Sequence, residues 1–420
     1  MTRPLKILHT GDLHLGLSLR RVSREEEQQR MLDWIVQVTR EQKVDVLLIA
    51  GDVFDVANPP NSARTMFFNF LEQLVDTQTL SHVVITAGNH DSAGQLNALC
   101  PVTRRLGIHI VGGVENRSDS WNDWIIPLEI DGEVCAVVNA IPYISEFRLG
   151  IRWTSDQVGK SHAVIRKALK SVYSEMADLA RERHGNVPLI AMGHLTAMDE
   201  QYNLGEMPRS IHRIIDKGLD GEIFGDQYVY IALGHIHRKY KVRGEANAWY
   251  CGSPMPCSIA EAEDGSERGV WVVPLSGDPD ERPPPVAMLA PIWRQMIRWQ
   301  GPESKMEEYI LKLTWNDAEL PPFLYMEVET TSSARVTQRF NDIVQSMVQD
   351  GVAPPLKGKI EGRLTEQAIE EDVEYDMGNP EALLRPIELF KDFVRFKEGI
   401  DATEEQIRLF SALVNKHSAL

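Results

Sequence analysis

Five short segments of this sequence each place residues able to bind a metal directly after an apolar run: Asp12-x-His14, Gly51-Asp52, Gly88-Asn89-His90-Asp91, Gly193-His194 and Gly234-His235-x-His237. Singly, each is an ordinary polar loop. Together they supply two carboxylates, an amide oxygen and several imidazoles from equivalent positions. Oxygen and nitrogen donors without thiolate suit manganese, iron or zinc in a reactive site rather than a Cys-rich structural zinc. Seven such donors exceed the needs of one tetrahedral ion, so two ions sharing a carboxylate are expected. Two ions about 3.5–4 Å apart clamp the attacking and leaving oxygens of an in-line displacement at phosphorus. Phosphate ester hydrolysis most needs that help, being among the slowest uncatalysed reactions.

The elements that must position these residues are legible around them. LKILHTGDLH (5–14), VDVLLIAGD (44–52), HVVITAGNHD (82–91), VPLIAMGHL (187–195) and YVYIALGHIH (228–237) are near-continuous apolar runs, the pattern of strands covered on both faces. Helical spacing at 25–42 and 62–78 separates the first three, which predicts β-α-β-α-β and functional groups beyond the carboxyl ends of the strands. A main domain is expected over 1–275. The proline-rich run 276–291 reads as a linker. An α+β domain is expected over 292–376, with helices at 303–313 and 332–350 and strands at 323–330 and 356–364. Gly378-Asn379-Pro380 then breaks the chain at the start of a helical C-terminal segment, 377–420.

At 420 residues the chain exceeds what one core usually fills, and its 43% hydrophobic and 25% charged content is that of a globular protein. A net charge of −17 argues against gripping nucleic acid by bulk electrostatics alone. The acid excess is concentrated towards the C-terminus, where residues 276–420 hold 26 acids and 16 bases. The four cysteines form no C-x-x-C pair and read as buried thiols in a reducing cytoplasm. No apolar run spans a membrane and the start lacks a signal-peptide pattern, so a soluble cytoplasmic protein is expected. No P-loop occurs, so any ATP dependence must come from another chain.

HTGDLHLG (9–16), AGDVFD (50–55), AGNHDS (87–92), GHLTA (193–197), IALGHIHR (231–238) and YCGSP (250–254) together carry a resemblance. Across roughly 5–240 the chain resembles the calcineurin-like metallophosphoesterases. It is closer to their SbcD branch, the nuclease subunits of bacterial SbcCD, and with the smaller domain and C-terminal helices in order the likeness covers nearly the whole chain. It implies an α/β fold: a two-sheet sandwich flanked by helices, a small capping domain and a C-terminal helical segment. It implies two divalent ions, manganese foremost, one held by Asp12, His14, His237 and Asp52 and the other by Asn89, His194, His235 and Asp52. His90 would act on the phosphate, and Asp55 would be the carboxylate that orients it. Asp91 reads as structural, capping the next turn.

The implied activity is duplex-end exonuclease and single-strand or hairpin endonuclease, with DNA as substrate. The implied partner is an SbcC-type coiled-coil ATPase held by the C-terminal helices, in DNA repair and recombination. A homodimer within a heterotetramer is expected, with 66–74 as a candidate dimer surface, although a buried core helix explains the same residues. Arg20, Arg21, Arg24, Arg238, Lys239, Lys241 and Arg243 are candidate DNA-phosphate contacts, weighed against a solvated edge strand. Trp293, Trp299 and Trp315, and the histidines outside the motifs, read as packed or solvated. The rival readings are a small-molecule phosphodiesterase or phosphatase, disfavoured by the extra domain and helices, and a non-catalytic scaffold, disfavoured by a complete ligand set.

Overall fold

The computed structural model describes residues 2–20, 22–113, 121–145, 148–149, 161–197, 221–316, 319–364, 390–391, 394, 403 and 406–410. All five apolar runs form strands: Leu5–Thr10, Val46–Ala50, His82–Thr86, Leu189–His194 and Tyr230–Gly234. The first three lie side by side and parallel in one six-stranded sheet, with Ile108–Val111 beyond them. Gly269–Leu275 and Val286–Leu289 extend this sheet antiparallel on the other side. The fourth and fifth runs are central, parallel strands of a second six-stranded sheet, with Tyr240–Lys241 and Ile125–Ile130 at its two edges.

One core cluster joins Leu5, Ile7, Val46, Leu48 and Val84 of the first sheet to Val137, Ile190, Ile231 and Leu233 of the second, so the sheets are two layers of a sandwich. The alternate residues Leu8, Leu47 and Ile49 face the other way, onto helices Glu25–Glu41 and Asn61–Val75. Burying both faces explains why these strands read as continuous apolar runs. Each large apolar side chain so buried contributes about 1.5–3 kcal/mol. Within 66–74, Met66, Phe67, Phe70, Leu71 and Leu74 are buried, so the helix stripe is core, while Phe68 stays exposed.

The chain divides into two compact units, Met1–Trp293 and Arg294–Leu420. Val286–Leu289, inside the run expected as a linker, is therefore an edge strand of the first unit; its four apolar residues pair with Gly269–Val272 despite the prolines before them. In the second unit three parallel strands, Arg294–Pro302, Leu320–Thr330 and Leu356–Leu364, alternate with helices Glu303–Leu311 and Ser333–Gln349. Both helices and the last two strands fall where the sequence predicts them. Met306, Ile310, Val336, Phe340 and Ile343 pack on Leu324, Met326 and Val328 to make this unit's own core. Most of the C-terminal segment, including Leu383, Leu384, Ile387, Leu389, Phe393, Phe396 and Leu413, lies outside the described residues. Where it is described, the Phe390 and Phe410 rings stack at 4.2 Å.

Candidate metal centre

The five motifs meet at the carboxyl ends of the parallel strands, where the two sheets face each other. The loops after the first two strands are zipped together by backbone bonds: Asp12 N–H donates to Gly51 O (3.0 Å), His14 N–H to Asp52 O (3.0 Å) and Leu15 N–H to Val53 O (2.9 Å). This pairing holds Asp12, His14 and Asp52 at φ of 50°, 45° and 46°, with His235 at 95° across the site. Left-handed conformations at non-glycine residues cost of order 1–3 kcal/mol each and persist only where the surroundings over-determine them. Two glycines permit the closest approaches. A Cβ on Gly51, itself at φ 82°, would lie 2.1 Å from His194 Nδ1, and one on Gly88 would lie 2.1 Å from Asp52 Oδ1.

Partners on one ring nitrogen decide what the other presents. His194 Nδ1 lies 3.0 Å from Ala50 O, which can only accept, so Nδ1 carries a proton. His194 Nε2 then faces Asp52 Oδ2 at 3.2 Å and Asn89 Oδ1 at 3.1 Å. His235 Nδ1 is 2.9 Å from the same Asn89 oxygen. His194 Nε2, Asp52 Oδ2, Asn89 Oδ1 and His235 Nδ1 thus converge as a cluster of nitrogen and oxygen groups able to hold a cation. Burial works to strip a second proton from His194, yet the Asp52 and Asp12 carboxylates hold its pKa up at about 9. Burial likewise opposes charge on Asp52, but the His194 and His14 rings draw its pKa below the carboxylate range.

A second convergence lies beside the first. His237 Nδ1 is bound to Glu261 Oε1 at 3.1 Å, so its Nε2 faces inward, 3.1 Å from His14 Nε2. His14 Nε2 is also 3.7 Å from Asp52 Oδ2, and His14 Nδ1 is 3.3 Å from the Asp55 carboxylate. Two ring nitrogens so placed share either a proton or a metal ion. Asp52 is the carboxylate that reaches both sets. Asp12 is 1% exposed; both its oxygens accept the His235 backbone N–H, at 2.9 and 3.1 Å, leaving further lone pairs for a cation. The donors present, carboxylate, amide oxygen and imidazole, fit divalent ions.

His90 lies beside His14 and Asp52, near enough to share an ion with them, and its own bonds fix its ring. Its backbone N–H donates to Asp52 Oδ1 (2.9 Å), and its Nδ1 donates to the backbone carbonyl of Asp55 (2.6 Å), so Nε2 is the free position. The expectation for Asp55 is revised accordingly: its main chain, not its carboxylate, holds His90, because the carboxylate is turned to His14. Asp91 is structural, but not as a cap. Its carboxylate accepts from Val53, Phe54 and Gly88 N–H groups, tying the Asn89-His90 loop to the Asp52 loop, while Ser92 caps the following helix. Desolvation and the Asp52 charge raise Asp91 to about 6 against those three bonds.

Glu261 was not anticipated. Besides holding His237 it accepts from Cys257 N–H (3.0 Å) and pairs with Arg268 (3.3 Å), and these partners take its pKa to about 2 against burial. Nothing in the spacing of a glutamate 24 residues beyond His237 marks it.

The basic residues divide. Lys239 Nζ donates to Val270 O (3.0 Å) and sits 4.1 Å over the Trp271 ring; burial lowers its pKa to about 8. Arg238 Nε is paired with Asp264 at 3.0 Å. Arg24 is 1% exposed and paired with Glu27 at 2.8 Å. Lys239 and Arg24 are thereby engaged within the protein, which turns their reading from phosphate contacts to packing, whereas Arg238 keeps about a third of its side chain exposed. Arg20, Lys241 and Arg243 are exposed, Lys241 on an edge strand as the alternative had it, and Arg21 lies outside the described residues.

A family model described as calcineurin-like phosphoesterase matches residues 5–239. The SbcD subunit of nuclease SbcCD from Rhodobacter capsulatus is 31% identical over 77% of this chain and 80% of its own length. Its counterpart in Escherichia coli K12 is 31% identical over 78% of each chain. The Bacillus subtilis counterpart is 30% identical over 73% of this chain and 74% of its own.

Proposed function

Because the chain belongs to the calcineurin-like phosphoesterase family, and within it to the family of SbcD nuclease subunits, we propose that it cleaves DNA from duplex ends and at single strands and hairpins, with manganese as its metal. It is a phosphodiester hydrolase and a metal-dependent nuclease subunit. The observation that carries the reading is the convergence of carboxylate, amide and imidazole groups around Asp52. The ligand set is Asp12, His14, His237 and Asp52 for one ion, and Asn89, His194, His235 and Asp52 for the other. Bound there, divalent ions supply Lewis-acid charge at the scissile phosphate.

The protein's own groups do the rest. Glu261 and the Ala50 carbonyl fix the tautomers of His237 and His194, keeping their inward nitrogens unprotonated when metal binds. The Asp55 carbonyl does the same for His90, whose Nε2 is left to hold or deliver a proton at the leaving oxygen. Among the candidate contacts, Arg20 and Lys241 are proposed to meet the DNA backbone.

We further propose that 377–420 binds an SbcC-type ATPase in a heterotetramer built on a nuclease dimer. In support, Leu409 is 61% exposed on the last described helical turn. Among the described residues no helix is long and apolar enough to cross a membrane.

With manganese, the full chain should degrade labelled duplex and hairpin DNA, lose that activity to a chelator and regain it on manganese addition. Turnover of a chromogenic phosphodiester with intact DNA would favour the small-molecule reading, and bound metal without any hydrolysis the scaffold. Glu261→Gln should weaken metal binding at the His14/His237 position about 10–100-fold, as loss of a ligand-orienting carboxylate typically does. Isothermal titration with manganese measures it, and unchanged affinity would reduce Glu261 to a packing role.

A further inference from the structure

One thiol borders the centre and has no part in the ligand set above. Cys257 Sγ, His14 Nε2 or Nδ1, and a ring nitrogen of His237 all lie within 4.8 Å of one another. The two Nε2 atoms are already 3.1 Å apart, close to the separation of about 3.3 Å that two imidazoles take on one tetrahedral ion with 2.0–2.1 Å bonds. His14 is 4% exposed and its Nδ1 makes no hydrogen bond beyond the 3.3 Å approach to Asp55, so the ring is held chiefly by what its other nitrogen faces.

The main chain that carries the thiol is also fixed. Glu261 receives Cys257 N–H on Oε2 (3.0 Å) and His237 Nδ1 on Oε1 (3.1 Å), so one carboxylate holds the main chain of Cys257 and the ring of His237. Arg268 braces the same carboxylate and donates to His237 O at 2.6 Å. The buried Arg24 guanidinium bonds the carbonyl of Pro256, the residue before the cysteine. Unlike Cys135 and Cys251, Cys257 is not fully buried, which leaves an ion a way in.

We propose that Cys257 joins His14 and His237 as a thiolate ligand, so that the first metal position, besides taking manganese, holds a borderline-soft ion of the zinc class more tightly than the same position would without the thiol. Thiolate and imidazole donors suit zinc, whereas manganese favours oxygen-rich sets. As the metal–sulfur bond forms, the thiol proton is released to solvent. The inference rests on the metal-centre reading and adds a donor to it.

Cobalt(II) is the probe, because a thiolate ligand gives it a sulfur-to-metal charge-transfer absorption in the near ultraviolet that imidazole and carboxylate do not. The full chain loaded with cobalt should show this band, and Cys257→Ser and Cys257→Ala should lose it while retaining cobalt. Competition with a chromophoric chelator should show zinc affinity falling tenfold or more in both variants, with manganese affinity changed less than twofold. Cobalt retained with no band in the native chain, or a band that survives both substitutions, overturns the assignment of Cys257 alone. Failure of the native chain to retain any cobalt overturns the metal-centre reading as well. Thermal melts of the metal-free variants matching that of the native chain show that a lost band reports the ligand and not the fold.

Discussion

Asp52→Ala abolishes hydrolysis, by more than the 10²–10³-fold that loss of a single electrostatic donor typically costs, and leaves the purified chain with almost none of either metal. Asp12→Ala, by contrast, keeps one position partly filled. The difference follows from reach: Asp52 Oδ2 is 3.2 Å from His194 Nε2 and 3.7 Å from His14 Nε2, so its charge faces both sets of donors. Without it, two dications would face each other with no anion between them. Alanine at φ 46° also adds backbone strain. Asp52→Asn is the cleaner variant, since asparagine tolerates that conformation and removes only the charge. Metal analysis of the purified variants decides the matter, and equal metal content in the Asp52 and Asp12 variants would remove the bridging assignment.

His90→Ala keeps its metals and its DNA affinity and loses rate, by about 10²–10⁴-fold, the range for a positioned general acid. Retention of metal has a specific cause. The bond from His90 to Asp52 Oδ1 is made by the backbone N–H, which alanine preserves. The ring's other bond is to the Asp55 carbonyl at a partly exposed position, where water can replace the lost donor. A group that acts only as the transition state forms leaves ground-state binding alone. Single-turnover cleavage at saturating manganese, beside DNA binding, separates these quantities. Weakened binding with undiminished turnover would make His90 a substrate-binding residue.

The strands and their polar ends were legible in the sequence because two physical signals coincide there: residues buried on both faces must be apolar in succession, and ligands must follow where the apolar run stops. Asp12, His14, Asp52, Asn89, His194, His235 and His237 were singled out as candidates at such strand ends, with the resemblance choosing among them, and the structure brings them together. Glu261 and Cys257 were not, because they reach the site from the short helix Ile259–Glu263 and the turn before it, where no apolar run marks them, and only the third dimension brings them to His237. Arg294–Pro302 escaped notice as a strand because its residues are mostly half-buried or exposed and alternate without a clear apolar face. Lys239 misled for the opposite reason. A cation next to a ligand motif looks like a phosphate contact until the Trp271 ring and the Val270 carbonyl are seen to occupy it.

The donors of the centre are divided between the two layers of the sandwich: Asp12, His14, Asp52 and Asn89 follow strands of one sheet, and His194, His235 and His237 end or follow strands of the other. An ion held by both layers is a crosslink as well as a cofactor. Anything that binds the native chain and not the unfolded one stabilises it by mass action, about 2.7 kcal/mol at a hundredfold excess over the dissociation constant. The persistence of the folded nuclease in a cell is thereby coupled to free metal. Depletion of free metal is therefore expected to lower the chain's resistance to proteolysis as well as its activity, with the shared apolar core left to hold the two sheets.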